Sequence, residues 1–236
     1  MTPESVEAPP EIVIEPLPPA TRTAMVVGPP LGFALILAVT WIGLGPGAAG
    51  FLASIAAGTF IGGGKLVILA GAVEQAPVGH WPLAALVVYI DVATAIVVLG
   101  GMQDLYRLPG AGPRLASARA AGWRFLERHP RTRHAAWVSL AGFVAVPFHG
   151  TGALVGAFIG RLLGLSRPAI LSATLFGSAT AAILLGAVGQ IWQERISSAA
   201  SHPVMAIVAV VTTAALAILA TKWMFGERTN DPSQEA

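Results

Sequence analysis

The hydropathy pattern alternates long apolar runs with short polar breaks, and two of the runs are interrupted from within. A helix that crosses a bilayer needs about 20 predominantly apolar residues. Met25 to Gly45 meets that requirement, with Pro29 and Pro30 near its start, where proline suits a helix entrance. Pro46 to Val73 is long enough, but it carries Gly47, Gly50, Gly58, Gly62, Gly63 and Gly64, with Lys65 near its centre. Glycine disfavours the helix interior, so a continuous helix is not expected there. Trp81 to Gly101 is a clean span with Asp91 at its midpoint. Ala136 to Leu165 is apolar again but breaks at Pro147-Phe148-His149-Gly150-Thr151-Gly152. Pro168 to Trp192 and Pro203 to Phe225 are two further spans, separated by a polar turn with Glu194, Arg195 and His202.

Composition agrees with lipid as the solvent. Hydrophobic residues make up 55% of the 236 positions and charged residues 11%, and the mean hydropathy is +0.71. A water-soluble surface needs more charge than this, whereas a bilayer favours apolar side chains outside as well as inside. The absence of cysteine excludes disulfides, thiolate catalysis and Cys-based metal sites. A net charge of +2 gives no ground for a nucleic-acid partner. Met1 to Thr21 holds four Glu and several Pro but no Lys or Arg, so it lacks the basic start of a cleavable signal. Residues 1–24 read as a disordered tail, 25–225 as one transmembrane domain, and 226–236 as a polar tail.

Charge bias orients the spans. Met102 to Ala135 holds seven of the fourteen basic residues, Arg107, Arg114, Arg119, Arg124, Arg128, Arg131 and Arg133. The positive-inside bias makes this segment cytoplasmic. Within it, Leu115, Ala118, Gly122, Phe125 and Leu126 fit one face of an interfacial amphipathic helix, and a solvated basic loop fits as well. Arg161, Arg167, Lys222 and Arg228 fall on the same side if each broken stretch enters and leaves by one face. The expected architecture is all-α, with about four transmembrane helices plus two re-entrant helical hairpins dipping from opposite faces, as inverted repeats produce. Both termini are then cytoplasmic. Six full spans are the alternative.

The chemistry concentrates at the breaks. Pro147 lacks an amide donor, and the amides from Gly150 to Ala153 open a helix with their N–H groups unpaired, which suits an anion. His149 in that turn either neutralises a phosphate, moves a proton, or bonds a neighbouring carbonyl. Downstream, Gly152, Gly156, Gly160 and Gly164 recur every four residues and form a strip for close helix packing. In the first break, a lysine within the bilayer costs about 3 kcal/mol on insertion scales. Lys65 therefore either snorkels to the interface or meets an anion, with Asp91, Glu74 or a substrate phosphate as candidates. Gly58 to Lys65 is not a nucleotide loop, because Leu66 stands where the pattern needs Ser or Thr. Asp91 supports two readings, proton coupling or a salt bridge to Lys65. Trp41, Trp81, Trp137, Trp192 and Trp223 fall near span ends, as an aromatic belt would. Paired carboxylates, a His-x-x-x-His spacing and a serine-histidine-aspartate order are absent, so an enzyme is not expected.

The run Val144-Ala145-Val146-Pro147-Phe148-His149-Gly150-Thr151-Gly152-Ala153-Leu154-Val155-Gly156-Ala157 resembles the Pro-x-Pro-Gly-Thr-Gly-Ala-x-x-Gly motif of the small multi-drug export proteins, which look distantly related to the DedA family. This chain has His149 where that family has proline, and Gly62-Gly63-Gly64-Lys65 in the region of its Glu-Leu-Arg signature. The resemblance implies a helical membrane protein with opposed re-entrant hairpins, similar to carriers of phosphorylated lipids.

The resulting expectation is a proton-coupled secondary carrier or flippase of an anionic or amphiphilic substrate. Lys65, His149, Gly150, Thr151 and Gly152 would bind substrate, and Asp91 would exchange a proton. Membrane lipids are the expected surroundings, in a bacterial or archaeal plasma membrane. No cofactor, metal or nucleic acid is expected, and homo-oligomerisation is open. A small-multidrug exporter is one alternative, and a non-transporting scaffold that docks through the basic segment is another.

Overall fold

The computed structural model describes residues 17–107, 130–147 and 151–193. His149 and Gly150, most of the basic segment and the Pro203 to Phe225 stretch lie outside the described residues. The described residues form helices and no strand. The elements are α1 (Pro19–Leu44), α2 (Pro46–Gly58), a π-helical turn (Thr59–Gly63), a 3-10 helix (Gly64–Ala72), α3 (His80–Arg107), α4 (Pro130–Ala145), α5 (Thr151–Leu162) and α6 (Arg167–Ile191). Of these, α1, α3 and α6 are long and apolar enough to cross a membrane.

Two boundaries differ from the sequence reading. Helix α1 begins at Pro19, inside the stretch expected to be a disordered tail, because Pro19 occupies the first helical turn, where no amide donor is needed. Pro29 and Pro30 therefore sit within α1 and not at its entrance. The glycine strip is also shorter than its spacing implied. Gly152, Gly156 and Gly160 lie in α5, but Gly164 follows the helix end with φ +83°. There it closes a Schellman turn, with Leu165 N donating to the Gly160 carbonyl at 3.0 Å and Gly164 N to the Arg161 carbonyl at 3.1 Å. Ser166 then caps α6 by accepting from Ala169 N.

Pairwise contacts give the directions. Arg22 pairs with Asp104, Met25 and Val26 meet Gly100, and Tyr89 reaches Pro29, so α1 runs antiparallel to α3. Asp91 meets Ser178 and Trp81 covers Gly186, so α6 is antiparallel to α3 as well. The Trp137 indole donates to Ser172 Oγ at 2.9 Å, and Gly177 sits against the Ala141 carbonyl, so α4 is parallel to α6. At Gly177 any β-carbon would run into that carbonyl, so only glycine permits the approach.

The two broken stretches pack on opposite halves of α3. Ala48, Leu52 and Ile55 of α2 cluster with Leu83, Leu86 and Ile90, while the 3-10 helix runs back until Gly71 abuts the backbone of Gly79 and His80. On the other half, Leu140 and Val144 of α4 and Ala157 of α5 cluster with Ala95 and Leu99 of α3 and with Ile170 and Ala173 of α6. Within this second unit α4 and α5 are antiparallel, since Gly152 lies against Val144 and Gly160 against Leu140.

Candidate functional site

The first break begins where α2 loses its regular hydrogen bonding. Thr59, 1% exposed, donates its hydroxyl to the Ile55 carbonyl at 2.9 Å, a back-bond that bends helices. The backbone widens into the π-helical turn and then reverses at Gly64, with φ +51° and ψ −139°. That conformation is close to glycine-only territory. The 3-10 helix starts there, and its second residue is Lys65, which the reversal aims into the groove between α3 and α6.

At the bottom of that groove Lys65 Nζ donates to Asp91 Oδ2. The same carboxylate oxygen accepts from Ser178 Oγ at 2.6 Å. Lys65 and Asp91 are each 3% exposed and Ser178 is fully buried, so three elements converge on one desolvated charge pair. Thr174, one turn before Ser178 and also fully buried, finds no hydrogen-bond partner for its hydroxyl among the described residues. Of the two readings of Asp91, the ion pair with Lys65 is present in the folded chain. Lys65 does not snorkel out.

A carboxylate and an ammonium in apolar surroundings hold each other by Coulomb attraction that water does not screen. Ser178 adds a hydrogen bond to a charged acceptor, a class stronger than neutral bonds. Protonating Asp91 would cancel its charge and leave Lys65 as an uncompensated cation. The arrangement can therefore take up one proton at Asp91 together with one anion at Lys65.

The second break contributes differently. Thr151 and Gly152 open α5, and Gly152 lies against the Val144 backbone. The Thr151 side chain, like all of His149 and Gly150, is outside the described residues. The nearby Leu154 of α5 lines one cavity together with Phe60 of the first break, beside Tyr89 and Ile90 of α3. Both broken stretches thus border one cavity along α3, and Lys65, Asp91 and Ser178 are not among the residues that line it.

Sequence reasoning did not single out Ser178 or Thr174. Hydroxyls are common in apolar helices, where they bond the carbonyl one turn back, as Thr40 does to Ile36 and Thr180 to Phe176. Only the register of α6 against α3 distinguishes Ser178 from these. A weak signal existed, because Thr174 and Ser178 are four residues apart and share a helix face.

Comparison with known proteins places a family model, described as "putative small multi-drug export protein", on residues 65–184. That stretch starts at Lys65 and includes Asp91, Thr174 and Ser178. No curated protein and no solved structure matches the chain.

Proposed function

Because the chain belongs to the small multi-drug export protein family, we propose that it is a membrane carrier that couples a proton at Asp91 to the movement of an anionic or amphiphilic substrate. The observation that carries this reading is the buried Lys65–Asp91–Ser178 cluster, in which the first broken stretch, α3 and α6 meet. A charge pair in such a place is expensive to keep, since apolar residues of similar volume often stabilise as well or better. Function explains its presence.

The cycle follows from the charges. With Asp91 ionised, Lys65 is neutralised internally and the site is closed to anions. A proton arriving on Asp91 frees the Lys65 ammonium, which in apolar surroundings draws a phosphate or other anionic headgroup. Loss of the proton restores the pair and expels the anion. In the bilayer, α2 with the 3-10 helix, and α4 with α5, act as two re-entrant hairpins entering from opposite faces, a layout similar to that of DedA-type proteins. The Arg22–Asp104 pair ties the start of α1 to the end of α3. The arginine-rich stretch follows directly, so this end faces the cytoplasm, as does the amino terminus.

Proteoliposomes with a trapped pH-sensitive dye test the reading. Single-chain alkyl phosphates added outside should drive proton movement through the native protein, and Asp91→Asn and Lys65→Ala should abolish it. His149→Ala tests the second break. Undiminished proton movement in all three variants would remove these roles.

A further inference from the structure

Thr40, Ser54, Thr59 and Thr180 each donate their hydroxyl to the carbonyl one turn back, the ordinary way to satisfy such a group in an apolar helix. Thr174 makes no such bond. Its hydroxyl is fully buried and has no partner among the described residues. A buried hydroxyl left in that condition is costly, and native proteins meet it with another protein group or with ordered water. Its place in α6 shows what stands near it. Every fourth residue of α6 from Ile170 to Gly186 is buried, and this strip is directed at α3. Ile170 clusters with Ala95 and Leu99, Ser178 donates to Asp91, Ala182 clusters with Ala84 and Val87, and Trp81 covers Gly186. Thr174 belongs to the same strip, so it lies in the seam between the two helices, one turn from Ser178. One turn from the Asp91–Ser178 contact along both antiparallel helices, Ala95 stands across from Thr174, and its methyl group offers neither donor nor acceptor.

The spacing suits a shared water. Side chains four apart on a helix face have β-carbons about 5–6 Å apart. Two O–H···O bonds made through one water cover about 5.5 Å. A water between Thr174 and Ser178 therefore needs no shift of α6. Ser178 Oγ is 2.6 Å from Asp91 Oδ2, so the same water reaches the carboxylate. Ser178 gives its own proton to Asp91 and keeps lone pairs to accept from the water. Thr174, Ser178 and Asp91 together supply three partners, the usual number for a buried water.

We propose that Thr174 and Ser178 hold one buried water against Asp91, and that this water carries the proton to and from the carboxylate. The water site stands on the geometry alone, whereas its proton role rests on the carrier reading above. The transfer needs no group besides water. The bound water gives one of its protons to the Asp91 carboxylate and takes another from a hydrated proton on the solvent side, so it emerges unchanged. Thr174 keeps its own proton and turns its hydroxyl between donor and acceptor as the water reorients. It is a positioning residue, acting on Asp91 only through the water. Toward the Arg107 end of α3, Ile170 packs with Leu99 and Leu140, so an apolar cluster must part before solvent meets the water from that side.

Infrared difference spectroscopy of the full chain in nanodiscs, between acid and neutral pH, tests the site without transport. The native protein should show a carboxyl change that disappears in Asp91→Asn, together with a water O–H stretching band that shifts in heavy-oxygen water. That band should vanish in Thr174→Val while the carboxyl change is retained, and it should persist in Thr174→Ser, which keeps the hydroxyl. Thr174→Ala removes the hydroxyl with less bulk and guards against a packing defect in the valine variant. In the proteoliposome assay, proton movement should fall about tenfold or more in Thr174→Val and recover in Thr174→Ser. A water band that is missing from the native protein, or that survives in either variant lacking the hydroxyl, overturns the inference. Unchanged proton movement once the band is lost would show a structural water only and overturn the proton role. A band that behaves as expected in a native protein that moves no protons would support the water site and remove the carrier reading instead.

Discussion

Replacing Asp91 by Leu puts the buried pair to a quantitative test. The substitution leaves the Lys65 ammonium, 3% exposed, without a counter-charge, and it leaves the Ser178 hydroxyl without its acceptor. Breaking a buried pair from one side costs about 3–5 kcal/mol. An orphaned buried hydroxyl adds about 1–3 kcal/mol, and the two terms overlap because they share one carboxylate. A net loss of about 4–5 kcal/mol is expected. Lys65→Met in the Asp91→Leu background removes the remaining charge and should recover most of the loss, since an apolar replacement of a buried pair is often neutral or stabilising. Lys65→Met alone breaks the pair from the other side at about 3–5 kcal/mol, so the four proteins of this double-mutant cycle, unfolded reversibly in mixed micelles, should show a coupling energy above about 5 kcal/mol. Losses that add to within about 0.5 kcal/mol would refute the reasoning, because residues that truly pair cannot be independent. The rescued double variant should fold and yet move no protons, which separates the structural from the functional role of the pair.

Three further outcomes follow from the packing. Ser178→Ala removes one of the two donors to Asp91 and should cost about 1.5–3 kcal/mol in the same unfolding assay, while proton movement shifts in pH dependence and does not vanish. Gly177→Val drives a side chain into the Ala141 carbonyl and should destabilise by about 1–3 kcal/mol, whereas Gly43→Ala, with nothing near it, should be neutral within about 0.5 kcal/mol. Gly64→Ala strains the reversal at the first break by about 1–3 kcal/mol, so chemical modification of the Lys65 amine should become faster as the lysine leaves its groove.

Lys65, Asp91 and the two interruptions were legible in the sequence because each violates the apolar pattern around it, and a bilayer makes such violations costly. The pairing of Lys65 with Asp91 was one of the open readings, and tertiary structure was needed to choose it. The kind of break at the first site was not legible. Three consecutive glycines say that the helix stops, but not that it widens into a π turn before tightening into a 3-10 helix. The apolar run does not mark the start of α1, because the helix begins earlier, at Pro19, and so encloses Pro29 and Pro30. Glycine spacing marked α5 as a face for close packing, which α4 fills, but passed over Gly177, which belongs to no periodic strip and lets α6 approach the backbone of α4.

The span of sequence between the paired charges has a consequence for how the protein is made. Asp91 follows Lys65 by 26 residues, and Ser178 follows Asp91 by 87. At a synthesis rate of about 5–20 residues per second, the ribosome emits Lys65 roughly one to five seconds before its counter-charge exists. During that interval the lysine has no lasting place in the lipid, and the short arms around it cannot settle alone. The buried pair can therefore close only after α3 has been made, so the first broken stretch and α3 reach their final packing together and not one helix at a time.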